Sequence, residues 1–325
     1  MSIDNQSFYD LKVQNIFAVA EQLGFEPTGE YFQLNSYENR VFDLFLEGEA
    51  NPHVICKIYR PNRWSFEAIQ EEHDFLMELK KQGIPAVAPL EFSGKTIIEN
   101  ESMYYSFFPK ALGRMPQELN DSDLRQLGRQ LAKLHNIGAQ KAALHRPSLD
   151  FQFFGWDSLD IVSNWVVPEV WARYEEAAIQ IIEFLEDECD LSQLIRIHGD
   201  CHKGNILQTD PKEGHKELFF VDFDDFINGL PIQDFWMLFS GDETENKEEL
   251  NEFLTGYEEL RLFDDSQLKL MPAFRGLRII YYAAWIAKRW EDPSFPKLFP
   301  EFQNYIYWAE EVEALEKIAW SLRSN

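Results

Sequence analysis

Cysteine is scarce in this sequence. Cys56, Cys189 and Cys201 are the only three in 325 residues, odd in number and without recurring spacing, which excludes a disulfide framework. Long apolar runs are also missing. The best, residues 279–287, is about half the ~18 to 20 residues that cross a bilayer and is flanked by charge. The opening Met1-Ser2-Ile3-Asp4 has neither a basic stretch nor a cleavage site, so a secretory leader is not expected and the chain reads as soluble and cytoplasmic. Cations are outnumbered, 30 Lys plus Arg against 56 Asp plus Glu, for a formal charge of −26. That deficit argues against a nucleic-acid binder and against docking on an anionic membrane surface. A cationic substrate or a basic peptide segment would suit such a chain better. Internal repeats and low-complexity tracts are absent as well, which excludes solenoids and fibrous arrays.

Apolar residues make up 45% of the chain and aromatics 15%, enough for two packed cores and too much for a disordered acidic chain. Residues 8–23 carry Phe8, Leu11, Ile16, Val19 and Leu23 at helical spacing, closed by Gly24. Residues 41–46 read as a strand, 48–52 as a turn and 53–59 as a second strand. A helix over 66–80 ends at Gly83, and short strands follow at 96–99 and 103–108. Pro109, Gly113 and Pro116 then mark a break. Beyond it the pattern turns helical. Asp121 or Ser122 caps a helix bearing Leu124, Leu127, Leu131 and Leu134, with Gly138 as its stop, and further helices are expected at 168–187, 247–262, 271–291 and 300–321. Only 195–225 alternates short apolar runs with polar loops. The expectation is an α+β, bilobal chain. Residues 1–108 form a small sheet-bearing lobe and 109–325 a larger, mainly helical one.

The chemistry concentrates in His198-Gly199-Asp200-Cys201-His202-Lys203-Gly204-Asn205 and in Val221-Asp222-Phe223-Asp224-Asp225. Asn205 stands five residues after Asp200, and Asp222 ends an apolar run 22 residues after it. Two acids and an amide oxygen on loops beside short strands can converge on one point. Such hard oxygen ligands suit Mg²⁺, which takes one or two carboxylates and completes its shell with water and phosphate oxygens. Phosphoryl transfer uses this set: Asp200 beside the attacking hydroxyl, with Asn205 and Asp222 on the metal. Zinc is a poor alternative, because His198, Cys201 and His202 crowd into five residues with no fourth ligand nearby.

His198-Gly199-Asp200 with Asn205, followed by Asp222, resembles the catalytic loop and metal-binding strand of kinases with the aminoglycoside-phosphotransferase fold, relatives of the eukaryotic protein kinases. The resemblance implies roles for further residues. Lys57, in Val54-Ile55-Cys56-Lys57-Ile58-Tyr59, holds the α- and β-phosphates of ATP while Ile55, on the same face, covers the adenine. Glu71 and Glu72 both qualify as the partner of Lys57, and Glu72 fits the family register better. The phosphate-covering loop departs from protein kinases: Leu34-Asn35-Ser36-Tyr37-Glu38-Asn39-Arg40-Val41 has no glycine. Asn tolerates the turn conformations a backbone cradle needs, and the Ser36 hydroxyl supplies a further hydrogen bond to phosphate. The hinge falls at Phe107-Phe108-Pro109. His135 and Asp234 read as supports, and Asp224 and Asp225 as neighbours within reach of a water beside the metal. Tyr281, Tyr282, Trp285 and Trp290 read as core with one edge toward the acceptor.

Three segments, 34–41, 57–64 and 289–297, closely resemble the bacterial stress response kinase A family, and the likeness spans roughly residues 30–300. It implies a cytoplasmic, ATP- and Mg²⁺-dependent Ser/Thr protein kinase of stress responses; the chain is expected to be a monomer that acts on a protein hydroxyl, its own included. The rival on the same scaffold is a small-molecule kinase for an aminoglycoside, an amino alcohol such as choline, or a sugar. The run from Asp225 to Pro231 is too short for a phosphorylated activation segment.

Overall fold

The computed structural model describes residues 5–48, 52–209, 217–239 and 247–323. Two short helices, α1 (Asn5–Asp10) and α2 (Val13–Gln22), precede strands β1 (Pro27–Leu34), β2 (Arg40–Leu46) and β3 (His53–Ile58). Helix α3 (Phe66–Lys81) then crosses to β4 (Ile98–Asn100) and β5 (Met103–Pro109). The five strands form one antiparallel sheet in the order β1-β2-β3-β5-β4. Beyond it come α4 (Asp121–Gly138), α5 (Asp157–Val162) and α6 (Pro168–Glu188). Strands β6 (Ile195–Ile197), β7 (Ile206–Gln208), β8 (Leu218–Phe220) and β9 (Ile227–Gly229) pair as β6 with β9 and β7 with β8. Helices α7 (Pro231–Leu238), α8 (Lys247–Glu258), α9 (Met271–Lys288), α10 (Phe295–Leu298) and α11 (Tyr305–Leu322) complete the chain. No helix among the described residues is long and apolar enough to cross a membrane.

Two main cores, among the described residues, follow from this layout. Phe42, Leu44, Val54, Cys56, Ile58, Tyr105 and Phe107 of β2, β3 and β5 pack with Ile16, Val19 and Ala20 of α2. The larger core gathers the helices from α4 onward, and it also takes Phe75, Leu76 and Leu79 from α3. Helix α3 is therefore shared. Its N-cap Ser65 accepts from the Ala68 N–H, and Phe75 meets the rings of Phe223 and Phe226, 6.0 and 5.5 Å between centroids. That contact fixes the helix to the segment that follows β8.

Several expectations need correction. Residues 8–23 form two helices, because Arg40 donates to the carbonyls of Phe8 and Leu11 (2.9 and 2.8 Å) and satisfies the chain at the break. Strand β1 was not anticipated. It is an edge strand with seven of its eight residues exposed, so it lacks the alternation that marks a half-buried strand. Helix α4 is capped by Asn120, in a capping box with Asp123, rather than by Asp121 or Ser122, and it runs through Gly138 to Ala139. Phe107 and Phe108 lie inside β5, so the irregular connection between sheet and helices begins after Pro109. The final helix begins at Tyr305, not 300. The turn expected at 48–52 falls largely outside the described residues.

The α4–α8 pair is built on mutual close approach. A Cβ on Gly128 would stand 2.1 Å from the Phe253 carbonyl oxygen, and one on Gly256 would stand 2.1 Å from that of Arg125. Backbone cannot yield as a side-chain tip can, so either substitution forces the helices apart. Gly128→Ala and Gly256→Ala should each cost about 1–3 kcal/mol or more. Because one separation relieves both clashes, the double variant should cost clearly less than their sum in urea unfolding. Full additivity would show that the two positions do not share one interface.

Candidate active site

The loop after β6 is held by one buried carboxylate. Asp234, in the first turn of α7, accepts the backbone N–H groups of His198 and Gly199, both at 2.9 Å. It also accepts from His135 Nε2 at 3.0 Å, and His135 Nδ1 in turn accepts from the Tyr257 hydroxyl at 2.8 Å. Burial lowers the His135 pKa, which matches this neutral, doubly bonded ring. Gly199 has φ +80°, and a Cβ there would lie 2.3 Å from the Asp225 carbonyl oxygen, so only glycine fits the turn. His198 Nε2 donates to the Val221 carbonyl at 2.9 Å and ties the loop to the residue before Asp222. His198 and His135 are thus placed as supports.

Asp200 projects from this loop. The Asn205 amide donates to its carbonyl at 2.9 Å and its carboxylate at 3.2 Å, and Arg278 of α9 donates to Oδ1 at 2.9 Å. Burial pushes the Asp200 pKa up, but the bond from His202 and the charge of Arg278 overcome it and hold the group at about 2. Val221 donates its backbone N–H to the Asn205 carbonyl at 3.0 Å, which brings Asn205 beside the Asp222 segment.

The second half of the site is a buried ion network. Lys57 of β3 reaches Asp224 at 3.0 Å, Glu72 of α3 at 3.3 Å and Asp222 at 3.5 Å. Burial alone would lower the lysine pKa, yet Asp224, Glu72 and the other neighbouring acids hold it well above its ordinary value. Asp224 is enclosed (6% exposed) and also takes Arg63 at 2.6 Å and the Asn39 amide at 2.9 Å. Its burial penalty is outweighed, first by Arg63 and then by Lys57, so it stays ionised well below the usual range. This replaces the expectation that Asp224 approaches a water. Asp225, also read that way, pairs instead with Arg63 at 2.6 Å.

Asp222 differs from its neighbours. Its backbone is left-handed (φ 58°), which Asp tolerates better than most residues, and 57% of its side chain remains accessible. Its place at the floor of the cleft, and then the like charges of Asp224, Asp225 and Asp200 against the pull of Lys57, raise its pKa. Lys57, Arg63 and Arg146 thus face Glu72, Asp222, Asp224 and Asp225, leaving one carboxylate in excess. That excess, with the Asn205 oxygen nearby, fits a hard divalent cation. Among the described residues no three His, Cys, Asp or Glu side chains converge to hold a metal unaided. A cation here would rest on Asp222, Asn205 and phosphate oxygens.

Geometry separates the two glutamates that sequence left open. Glu71 accepts the backbone N–H groups of Leu144, His145 and Arg146 (2.6, 2.7 and 3.1 Å) and buttresses a loop, whereas Glu72 meets Lys57. Ser36 lies exposed in the β1–β2 turn. The residues that anchor that turn went unnoticed in the sequence. Buried Glu38 takes Arg289 at 2.5 Å, the Trp285 indole N–H at 2.5 Å and Arg60 at 3.1 Å. Asn39 accepts the Arg60 backbone N–H at 3.1 Å while bonding Asp224. Arg63, Arg146 and Arg278 were missed too. Only Arg63 carried a local signal, a cation beside an aromatic in Arg63-Trp64; Arg146, which stacks 4.1 Å over Trp64, and Arg278 carried none.

With this geometry in view, likeness to known proteins can be weighed. The family model of the phosphotransferase enzyme family matches residues 33–271. Stress response kinase A of Salmonella choleraesuis (strain SC-B67) is 34% identical over 310 residues, 94% of this chain and 92% of that protein. The chain belongs to the stress response kinase A family of phosphotransferase enzymes. A relative in Salmonella typhimurium (strain LT2), described as serine/threonine protein kinase RdoA, is likewise 34% identical over 94% of this chain and 92% of its own. Among solved structures, amicoumacin kinase with AMP-PNP, Ca²⁺ and Ami aligns over 97% of this chain and 96% of its own, with a TM-score of 0.74 and 19% identity. Spectinomycin phosphotransferase with ADP and spectinomycin aligns over 97% of this chain and 100% of its own, with a TM-score of 0.71 and 14% identity. At such identities these two establish the fold: α+β, bilobal and kinase-like.

Two outcomes follow for this enzyme. Asp234→Asn replaces one acceptor oxygen with a donor and leaves a buried loop N–H unpaired. It should cost about 1–3 kcal/mol or more in denaturant unfolding, and a loss under 0.5 kcal/mol would show that the loop is held otherwise. His73, beside Glu72, is bonded to Tyr59 and Thr96 at 2.9 and 2.8 Å, and burial, ahead of Lys57 and Arg146, pushes its pKa down to about 3. An unfolded histidine binds its proton near pH 6.5, whereas the folded one resists until about 3. The unfolded chain therefore holds more protons in that window, and stability falls as pH drops, by up to ~1.4 kcal/mol per unit from this group. His73→Gln should flatten the stability slope between pH 6 and 4; an unchanged slope contradicts the buried neutral ring.

Proposed function

We propose that the chain is an ATP- and Mg²⁺-dependent protein kinase that transfers the γ-phosphoryl group to Ser or Thr hydroxyls, with residues 1–108 as nucleotide-binding lobe and 109–325 as catalytic and acceptor lobe. The observation that carries this reading is the placement of Lys57 between Glu72, Asp222 and Asp224. A fixed cation beside a spare carboxylate is what a triphosphate and its metal require. ATP lies with its adenine near Ile55 and its phosphates against Lys57 and the turn bearing Ser36. Asn205 and Asp222 would hold Mg²⁺, which when bound neutralises charge on the phosphates. Asp200 receives the acceptor hydroxyl. With a pKa of about 2 it stays ionised at every working pH and is a weak base, so its contribution is to orient the hydroxyl and to take its proton late. Positioning and charge neutralisation supply the rest.

The protein acceptor rests on the relative described as a serine/threonine protein kinase, whose 34% identity outweighs fold neighbours at 14 to 19%. A cytoplasmic role in stress responses and action as a monomer that also phosphorylates itself belong to the same reading. One observation favours a small-molecule acceptor instead. A cavity of about 440 Å³ beside Gly199, lined by Phe153, Phe154, Trp236 and Tyr281, has the size of a small-ligand pocket.

Asp200→Ala should lower phosphate transfer by about 10²–10⁴-fold while the Mg²⁺-ATP thermal shift persists. Retention of more than about a tenth of the rate overturns the role of Asp200. Transfer to amino alcohols or amino sugars with none to Ser/Thr peptides overturns the protein acceptor.

A further inference from the structure

The helix that faces Asp200 carries two arginines in a chain that is acidic overall. Arg275, Arg278 and Tyr282 of α9 follow one another at three- and four-residue spacing and share a helix face. Arg278 uses Nη2 on Asp200 at 2.9 Å and stands 5.9 Å over the Tyr282 ring. Its guanidinium has donors beyond that one bond, and a third of the side chain is open. The side chain lines two cavities, the one of about 440 Å³ and a second of about 330 Å³, both also lined by Trp236 and Met237. Arg275 lines the second cavity, is exposed and makes no ion pair among the described residues. The remaining ionisable groups there are His202 and Glu311. Burial, with Glu310 adding to it, raises the Glu311 pKa to about 7, so this acid opposes an incoming anion only in part near neutrality.

We propose that Arg275 and Arg278 form a carboxylate-recognition subsite, so that the hydroxyl presented to Asp200 is one flanked by an acidic group. In a protein this is a Ser or Thr with an Asp or Glu close by. A guanidinium is suited to the task because its planar fork matches a carboxylate bidentately. The inference reverses what the −26 charge suggests. Net charge governs the far field, whereas an acceptor in the cleft meets the few side chains around the reacting oxygen. The peptide form rests on the protein-kinase reading above; the carboxylate preference does not.

The test uses the full-length enzyme with Mg²⁺-ATP and matched serine peptides that differ only in Glu or Lys beside the acceptor. A hydroxy acid and an amino alcohol serve as the small-molecule pair. Wild type should favour the Glu peptide in kcat/KM by roughly tenfold or more. Arg275→Glu should abolish or invert that ratio with the KM for ATP unchanged, and Arg275→Lys should restore part of it. A preference for the Lys peptide, or a ratio that Arg275→Glu leaves intact, overturns the subsite. Transfer only to the hydroxy acid keeps the subsite and overturns the protein acceptor, whereas transfer only to the amino alcohol overturns both. No transfer to any of the four acceptors counts against both as well.

Discussion

Everything around the cleft answers to the burial of Asp224. An enclosed carboxylate is costly unless each oxygen is paired, and here Arg63, Lys57 and Asn39 do the pairing while Arg146 binds the backbone beside it. Asp222, two residues earlier, competes for the same lysine and is placed farther from it, at 3.5 rather than 3.0 Å. The half-satisfied acid is therefore the one that faces the opening. Had the sequence supplied one more cation to this cluster, the cleft would be neutral and would offer less to a divalent metal. The excess charge follows from which of two neighbouring acids the core swallows.

The same network explains how a loop without glycine stays in place. A glycine-rich flap approaches phosphates because its backbone is free to bend. Here the β1–β2 turn is fixed by side chains. Asn39 ties it to Asp224, and Glu38 ties it to Arg60, Arg289 and Trp285. Arg60 adds Asp292 at 2.9 Å. The turn is thereby joined to α9 and the residues after it. A loop held this way gives up mobility and gains a defined position beside Asp224.

What the sequence revealed divides along physical lines. Local periodicity made α3, α6 and α9 legible, and the spacing of Asp200, Asn205 and Asp222 pointed to one neighbourhood, where the Asn205 amide now bonds Asp200 and its carbonyl takes the N–H of Val221. Strand β1 stayed hidden because its exposed residues carry no alternation. The arginines stayed hidden for another reason. Arg63 finds Asp225 across 162 positions, Arg60 finds Asp292 across 232, and Glu38 finds Trp285 across 247. No window on the chain contains both halves of such a pair. Glu71 and Glu72 illustrate the limit at its finest: adjacent on one helix and alike in charge, they are told apart only by what stands opposite each.

Asp200 brings these strands of argument together. A carboxylate bonded by Asn205 and Arg278 and held near pKa 2 cannot be a strong base. Such an acid suits a reaction whose transition state is loose, where the hydroxyl needs aiming more than it needs deprotonating. On the proposed reading, Arg278 bears on both reactants at once. It lowers the basicity of Asp200, while its open face adds positive charge beside that carboxylate. A basic acceptor would have to approach against that charge. An acidic one would be drawn to it, and so, on the proposed reading, the residue that holds Asp200 near pKa 2 also bears on which acceptor reaches it.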